Sequence, residues 1–197
     1  MVVIRGLVEY EQIDFLLRCI RGHRCTMFLD IGAHMGTYAI TVAKRTQCTK
    51  IMAFEPDPRN YAHLQANLLL NGLVGVIESR AVAISDSDGD VSFVLGPPSH
   101  DVWSRVGEGD QDSIAINVPS RRIDSIIAVT GESIALKIDI EGHELTALDG
   151  MKVLLRENHC VVQVECFDDK LSGFEAAMRR LGYRLEHAIG PDRFFVN

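Results

Sequence analysis

A strand that turns through glycines into a helix constrains this fold more than any other feature of the sequence. The apolar run Met27–Ile31 leads into the turn Gly32–Gly36, and Thr37–Lys44 then shows helical spacing. A second unit follows at once, with a strand predicted at Lys50–Glu55 and a helix at Pro58–Leu70. Two consecutive βα units predict a parallel sheet with right-handed crossovers.

The rest of the chain continues this alternation. Residues 1–26 form a predicted N-terminal helical segment, with helical spacing from Leu7 to Ile20. Further elements are predicted as strands at Val76–Ser79, Ser133–Ile138, Cys160–Cys166, Tyr183–Glu186 and Arg193–Val196, and as helices at Asp124–Val129, from His143, and from a capping box at Ser172–Glu175 to Gly182. We therefore predict a single α/β domain, Rossmann-like, with a seven-stranded, mostly parallel sheet and one antiparallel strand.

An insertion interrupts the alternation in the middle of the chain. A turn cluster at Ser85–Asp90 precedes the alternating run Val91–Leu95, which predicts an inserted antiparallel strand or β-hairpin, with a further strand at Ser113–Val118. Residues Gly96 to Asp112 show no periodicity, and a loop of that length is often functional. A lid over a binding site and a surface excursion both remain open, as do ligand stacking and loop anchoring for its Trp103.

Composition excludes several classes of protein. A chain of 197 residues fits one domain, and its net charge of −7 comes without any Lys/Arg run, which argues against nucleic acid as a partner. No stretch approaches about 18 unbroken apolar residues, so we predict a cytoplasmic protein without a membrane partner. The five cysteines form no C-x-x-C pair, and we interpret them as reduced packing residues.

The glycine spacing after the first strand discriminates between cofactors. A dinucleotide site requires glycines at relative positions one, three and six, whereas this chain has Gly32, His34 and Thr37 there. The NAD or FAD fingerprint is therefore not met. A cofactor without phosphates, such as S-adenosylmethionine, does not need the same close approach of the backbone. Taken alone, the turn is also compatible with any α/β protein.

Residues of the same turn are candidates for cofactor binding. We expect the glycines at Gly32 and Gly36 to be required because a Cβ would intrude on the cofactor. The backbone groups of the loop are expected to receive the amino-acid end of S-adenosylmethionine. Asp30 either fixes the loop or binds the ammonium group.

A carboxylate ends the second predicted strand. Glu55 lies 19 residues beyond Gly36, where an acid can accept both ribose hydroxyls of an adenosine, and Pro56 is expected along the adenine face. The alternative is a strand-end glutamate with no ligand. In either case we expect the Glu55 carboxylate to be solvated when no ligand is bound.

A second acidic segment follows the strand Ser133–Ile138. Ligands of open α/β sheets bind at the carboxyl ends of strands, which is where Asp139 and Glu141 lie, and we expect the two acids to project on one side. Glu144 is expected to cap the next helix. A divalent metal is conceivable here, but without an identifiable third ligand we predict none. Glu165, at the end of a later strand, either contacts the acceptor or belongs to a buried polar network.

Four segments resemble the FkbM family of methyltransferases: DIGAHMG, AFEPDPRNYAHLQANLLLNG, AVAISDSDGDVSF and, most specifically, LKIDIEGHELTALDG. The resemblance spans Met27 to Glu165. It implies a class I methyltransferase fold, S-adenosylmethionine as cofactor, and O-methylation of a small-molecule acceptor, a sugar or a secondary metabolite. Together, motifs and resemblance predict a cofactor site made of Asp30, Gly32, Ala33, His34, Gly36, Glu55, Pro56 and Ala83.

A hydroxyl acceptor loses a proton as it is methylated, which calls for a nearby base. The predicted candidates are Glu141, Asp139 and His143, in that order, followed by Glu165. Two other functions remain open. The chain could be a nicotinamide-dependent oxidoreductase on a Rossmann fold, or a protein that binds S-adenosylmethionine without catalysis.

Overall fold

The computed structural model describes residues 9–96, 104–107, 114–166 and 168–197, without the side chains of 168–170. Within these residues, helices and strands follow in the order α1 (Tyr10–Gly22), β1 (Met27–Ile31), α2 (Thr37–Arg45), β2 (Lys50–Phe54), α3 (Pro58–Leu70), β3 (Ile77–Arg80), β4 (Ala83–Ile84), β5 (Gly89–Leu95), β6 (Arg105–Val106), β7 (Ile114–Arg121), α4 (Ile123–Ile126), β8 (Ser133–Ile138), α5 (Glu144–Asp149), α6 (Lys152–Glu157), β9 (His159–Glu165), α7 (Asp168–Arg180), β10 (Arg184–Ile189) and β11 (Asp192–Val196).

The main sheet has seven strands in the order β3-β2-β1-β8-β9-β11-β10. Neighbouring strands run parallel except β11, which is antiparallel to both β9 and β10. The predicted seven-stranded sheet with one antiparallel strand is confirmed. β1 lies between β2 and β8, so the strand order reverses beside it. In such sheets ligands bind at this switch point, above the carboxyl ends of the strands.

Two apolar layers enclose the sheet. Phe28 and Ala135 face one side and pack with residues of α1, α2 and α3, among them Leu64. Leu29 and Leu136 face the other side and pack with residues of α4 to α7. Because successive side chains of a strand point to opposite faces, strands buried on both faces must be apolar throughout, as β1 nearly is.

The insertion forms a sheet of its own, with strand order β4-β7-β5-β6. The predicted antiparallel pairing joins β5 to β7, from Gly89 opposite Ser120 to Leu95 opposite Ile114. The insertion has more strands than the predicted hairpin, because β4 and β6 extend the β5–β7 pair on both sides. Much of the predicted loop 96–112, including Trp103, lies outside the described residues, so its role as a lid stays a prediction.

Two predicted helices differ from those observed. The capping-box prediction was wrong, since α7 begins at Asp168; Leu171 packs against the core, and the turn before Ser172 is therefore helical as well. The helix predicted from His143 is divided into α5 and α6. The break falls at Gly150, where an added Cβ would lie 1.9 Å from the carbonyl oxygen of Ser85.

The five cysteines are free thiols, as predicted. Burial raises the pKa of Cys160 to about 11, which leaves this thiol uncharged and unreactive near neutral pH. In the described residues, no helix combines the length and the apolar character needed to cross a membrane. A cytoplasmic location and a single domain stay predictions.

Candidate active site

A cavity of about 670 Å³ opens at the carboxyl ends of β1, β2 and β8. This volume is typical of small-molecule sites. The inserted sheet contributes apolar side chains to the wall, among them Phe93 and Val106. Most of the predicted site residues also line the cavity: Asp30, Gly32, Ala33, His34, Glu55, Pro56, Ala83, Asp139, Glu141 and His143. Gly36 and Glu165 are not among the lining residues.

Asp30 fixes the turn between β1 and α2. Its side chain is buried, and Oδ2 accepts the backbone N–H of Ala39 at 2.9 Å, in the first turn of α2. Burial raises the pKa of Asp30 to about 7. Of the two roles predicted for this carboxylate, loop fixing is the one visible in the fold.

The two glycines of the turn are required by the protein's own packing. At Gly32, where φ is +82°, an added Cβ would lie 1.8 Å from the carbonyl oxygen of Asp139. At Gly36, where φ is +88°, it would lie 2.5 Å from Leu64 Cδ1. Packing within the protein is therefore sufficient to require both glycines, and their contact with a cofactor stays a prediction. The ends of β1 and β8 meet at Gly32, and α3 packs against Gly36.

Backbone N–H groups of the same turn form hydrogen bonds within the protein. The N–H groups of Gly32 and Ala33 both donate to the carbonyl oxygen of Phe54 at 3.0 Å, and that of His34 donates to the Glu55 carboxylate. The N–H groups of these three residues therefore already have partners, and the role of the loop's backbone groups toward a cofactor's amino-acid end stays a prediction. The turn folds against the end of β2.

Glu55 is 5% exposed, which corrects the expectation of a solvated carboxylate. Oε2 accepts the N–H of His34 at 2.7 Å, and Oε1 accepts the N–H of Asp57 at 2.9 Å. Burial raises the pKa of Glu55 to about 7. Each carboxylate oxygen can accept a second hydrogen bond, so a ribose diol is still compatible with this position.

Asp57 connects this region to the inserted sheet. Its fully buried carboxylate accepts the backbone N–H of Arg59 at 2.8 Å and the Ser104 hydroxyl at 2.7 Å. The Ser104 oxygen in turn accepts the N–H of Gly96 at 2.9 Å. We call these three residues, Asp57, Ser104 and Gly96, the Asp57 clasp. It secures the insertion beside Glu55, and Ser104 lines the cavity.

Asp139 and Glu141 line the same cavity, beyond the end of β8. The backbone N–H of Asp139 donates to Ile31 at 3.0 Å, and its side chain is 28% exposed. Glu141 has a positive φ of 51°, uncommon for a residue other than glycine, and is exposed as a whole residue. Desolvation of its carboxyl group, followed by the charge of Asp139, raises the pKa of Glu141 to about 7.

His143 and Glu144 shape the turn that leads into α5. His143 is half-buried, and its Nε2 lies 3.0 Å from the Ser85 Oγ, where the proton's location depends on the tautomer. Glu144 is buried, and its carboxylate accepts the N–H of Gly142 at 2.7 Å. The predicted capping role is therefore wrong, because Gly142 precedes α5 and, among the described residues, no side chain caps the N-terminus of that helix.

Glu165 lies behind the cavity wall, at the end of β9. It shares a hydrogen bond with Asp139, and burial, followed by the charge of Asp139, raises the pKa of Glu165 to about 8. Of the two roles predicted for Glu165, the structure favours the buried polar network. In the part of the chain that the structure describes, no three His, Cys, Asp or Glu side chains are arranged to hold a metal ion.

One cluster escaped the sequence analysis. Lys137 is buried on β8 and lies 3.4 Å from Asp192 on β11, while Gln163 on β9 donates both to Asp192, at 2.6 Å, and to the Tyr38 hydroxyl, at 3.0 Å. The signal was present: Lys137 and Gln163 each interrupt an otherwise apolar strand. A polar residue buried in a strand needs a partner, and the sequence does not reveal which residues meet there.

Comparisons with known proteins extend the family resemblance. The chain is 26% identical over 163 residues to the hexuronic acid methyltransferase AglP of Haloferax volcanii, a match that covers 82% of this chain and 61% of AglP. It thus spans less than two thirds of that relative's length.

Two solved structures share the fold. One is methyltransferase FkbM from Methylobacillus flagellatus, with a TM-score of 0.60 and 21% identity over 88% of this chain and 44% of that one. The other is PigF with SAH, with a TM-score of 0.54 and 14% identity over 96% of this chain and 55% of that one. The class I methyltransferase fold predicted from the sequence is confirmed.

The family described as Methyltransferase FkbM domain matches residues 30–185, most of the chain and the main sheet up to β9. That range also contains the turn after β1, Glu55 and the acidic segment after β8. The resemblance noted in the sequence is confirmed, and the chain belongs to the FkbM methyltransferase family.

Proposed function

We propose that this methyltransferase transfers the methyl group of S-adenosylmethionine to a hydroxyl of a sugar or a secondary metabolite. One observation carries the proposal. A single cavity joins the turn Gly32–His34 and Glu55 on one side to Asp139 and Glu141 on the other. The first set suits an adenosine cofactor and the second set suits an acceptor that loses a proton.

The cofactor half fits a nucleoside that carries a positively charged chain. The free lone pairs of Glu55 can accept the two ribose hydroxyls, and Pro56 with Ala83 and Phe93 offers apolar contact to an adenine. An ammonium group needs hydrogen-bond acceptors, and the carboxylates of the wall, of which Asp139 is partly exposed, supply them. S-adenosylmethionine, when bound, supplies an electrophilic methyl group.

The acceptor half has a carboxyl group with the properties of a general base. The raised pKa of Glu141, about 7, lies near neutral pH, where a base is most effective because it is both ionised and sufficiently basic. Glu141 is exposed at the cavity mouth and can approach an entering hydroxyl. His143 is held by Ser85 and supports the same turn. Transfer in line with the sulfur then depends on how well these residues position the hydroxyl.

The relative AglP supports a sugar acceptor, because it is named a hexuronic acid methyltransferase and aligns with 82% of this chain. The remaining 39% of AglP lies outside the match. We therefore propose the acceptor class, a hydroxylated sugar or comparable metabolite, and not hexuronic acid itself.

The experiment combines binding with transfer. Calorimetry with S-adenosylmethionine, S-adenosylhomocysteine and NADH should show binding of the first two and none of NADH. S-adenosylmethionine with a ¹³C-labelled methyl group is then incubated with hexoses, hexuronic acids and phenolic metabolites, and mass spectrometry identifies any labelled product. Binding of NADH alone would support an oxidoreductase. Cofactor binding without transfer to any hydroxyl would support a non-catalytic protein.

A further inference from the structure

Lys137 is a charged residue in the interior of the central strand β8. It is 2% exposed, and its Nζ lies 3.4 Å from Asp192 Oδ1, 3.6 Å from Asp139 Oδ2 and 5.2 Å from the centre of the Tyr38 ring. An isolated ammonium at this depth would cost several kcal/mol, so the two carboxylates are needed to compensate its charge.

The Lys137 ammonium interacts with most of the carboxyl groups around the site. Among the described residues, Lys137 is the only lysine or arginine that is buried. Besides its two ion pairs, it interacts electrostatically with four further acids on four different elements of the fold: Glu9, Asp30, Glu141 and Glu165. A single positive charge thus faces six carboxyl groups.

A network of hydrogen bonds holds Asp192, which pairs with the Lys137 ammonium. Asp192 accepts Gln163 Nε2 at 2.6 Å, the same amide donates to the Tyr38 hydroxyl at 3.0 Å, and that hydroxyl donates to Glu9 at 2.7 Å. This network connects β11, β9, α2 and the residue before α1. Asp192, which pairs with Lys137, is thus itself held by the network, and Lys137 in turn pairs with Asp139.

We propose that Lys137 is a positioning residue, whose buried ammonium pairs with Asp139 at 3.6 Å and holds that carboxylate in place on the cavity wall, next to Glu165. This inference rests on the proposed function. Lys137 acts through Asp139 and does not itself accept the acceptor's proton. Asp139 thereby presents a fixed negative charge to the ligand, beside Glu141 as the titrating base.

The pKa shifts of Lys137 and of the carboxyl groups near it agree with this assignment. Burial alone would lower the pKa of Lys137, but the carboxylates of Asp139 and Asp192 outweigh that effect and raise it, so the residue stays protonated. Glu165 and Glu141 have pKa values raised to about 8 and about 7, chiefly by burial, with the charge of Asp139 next in both. The charge of Lys137 opposes both shifts.

The test measures protons released when S-adenosylmethionine binds, by calorimetry in two buffers of different ionisation enthalpy, at several pH values. A positively charged ligand expels protons from nearby carboxyl groups, so release in the unmodified protein should peak near pH 7 to 8. Lys137→Met keeps the length of the side chain and removes its charge. We expect the peak to move to higher pH by about one unit.

Asp192→Asn is the complementary variant, since Asn can still accept the bond from Gln163. It removes a negative charge that raises the pKa of Glu165, so the peak should move to lower pH. Opposite directions separate a role in charge positioning from general damage to the fold. In an Asp139→Asn background, Lys137→Met should shift the peak by less than half as much. Lys152→Met, at a residue 42% exposed and paired with Asp149, is the matched control and should shift nothing.

An unshifted peak in Lys137→Met, shifts in the same direction in both variants, or an undiminished shift without Asp139 would overturn the positioning role. If Lys137→Met does not fold, the Asp192→Asn shift decides alone. Failure of the unmodified protein to bind S-adenosylmethionine at all would overturn the proposed function, which is a separate outcome.

Discussion

The two halves of the cavity are built from different materials. Around Glu55 the wall is made of backbone hydrogen bonds: both carboxylate oxygens accept N–H groups, and Gly32 packs against Asp139 without room for a Cβ. Around Glu141 the wall consists of charged groups: carboxyl groups that remain partly exposed and the ammonium of Lys137, a buried residue that also lines the cavity. Substitutions in the first half should therefore damage folding and binding together, whereas those in the second half should separate catalysis from stability.

The most severe test of the first half is Gly32→Ala. An added Cβ would lie 1.8 Å from the Asp139 carbonyl oxygen, so we expect a loss of at least about 4 kcal/mol in the free energy of unfolding. Gly75→Ala is the matched control, since Gly75 has a similar φ of +80° with nothing within 4 Å. It should cost only about 1–2 kcal/mol for the left-handed conformation. Equal losses by urea denaturation would mean that conformation, not contact, dictates the glycine.

Glu141→Gln tests the second half. Gln preserves shape but cannot take up a proton, so we expect a fall in kcat of about a hundredfold or more with cofactor affinity and melting temperature unchanged. Kinetics with an acceptor identified by the labelling experiment, and calorimetry with S-adenosylhomocysteine, measure the two effects. Glu157→Gln, at an exposed residue on α6, should leave both unchanged. A loss of stability equal to the loss of rate would remove the contrast between the halves.

Glu55→Gln should show the opposite behaviour. An amide has one acceptor oxygen, so the N–H of either His34 or Asp57 loses its partner, at a cost of about 1–3 kcal/mol in stability. Cofactor affinity should fall by about tenfold or more, because a charged acceptor for the ribose is lost. Thermal unfolding and calorimetry measure both, with the exposed Glu78→Gln as control. An affinity loss without any change in stability would show that the backbone bonds of Glu55 are dispensable.

The smallest effect concerns pH. The pKa of Asp30 is about 7 in the folded protein and near 4 when unfolded, so the folded state favours the protonated form. Stability from this group is complete below pH 4 and is lost as pH rises towards 7. Asp30→Asn does not titrate and still accepts the Ala39 N–H. Between pH 5 and 7, the free energy of unfolding should fall by about 1–2 kcal/mol more in the unmodified protein than in Asp30→Asn. Parallel pH profiles would refute this.

Periodicity and turn chemistry predicted the main sheet well, because its inner strands, such as β1 and β8, are buried on both faces and are therefore mostly apolar. The strands at Met27–Ile31 and Ser133–Ile138 were predicted to the residue. The boundaries that failed depend on contacts distant in sequence. The start of α7 is set by the packing of Leu171, and the end of α5 by Gly150 against Ser85, which local patterns do not record.

The candidate site shows the same division. Which residues line it follows from their position after strands, and most of the predicted residues do line the cavity. The burial and the partners of these residues do not follow from their position in the sequence. The burial of Glu55, and the pairing of Lys137 with Asp192, join segments more than 20 and more than 50 residues apart respectively. Such long-range pairing is decided by tertiary packing, which the spacing of one motif cannot express.

The Asp57 clasp joins the ribose position to the inserted sheet through a single residue. The N–H of Asp57 donates to Glu55, while the carboxylate of Asp57 holds the Ser104 hydroxyl, so the ribose position and the inserted sheet share one residue. If the nucleoside on Glu55 and the acceptor each bind more tightly when the hydrogen bonds of the clasp are formed, each ligand raises the affinity of the other by the same factor. Donor and acceptor would then bind cooperatively in either order, without any direct contact between them.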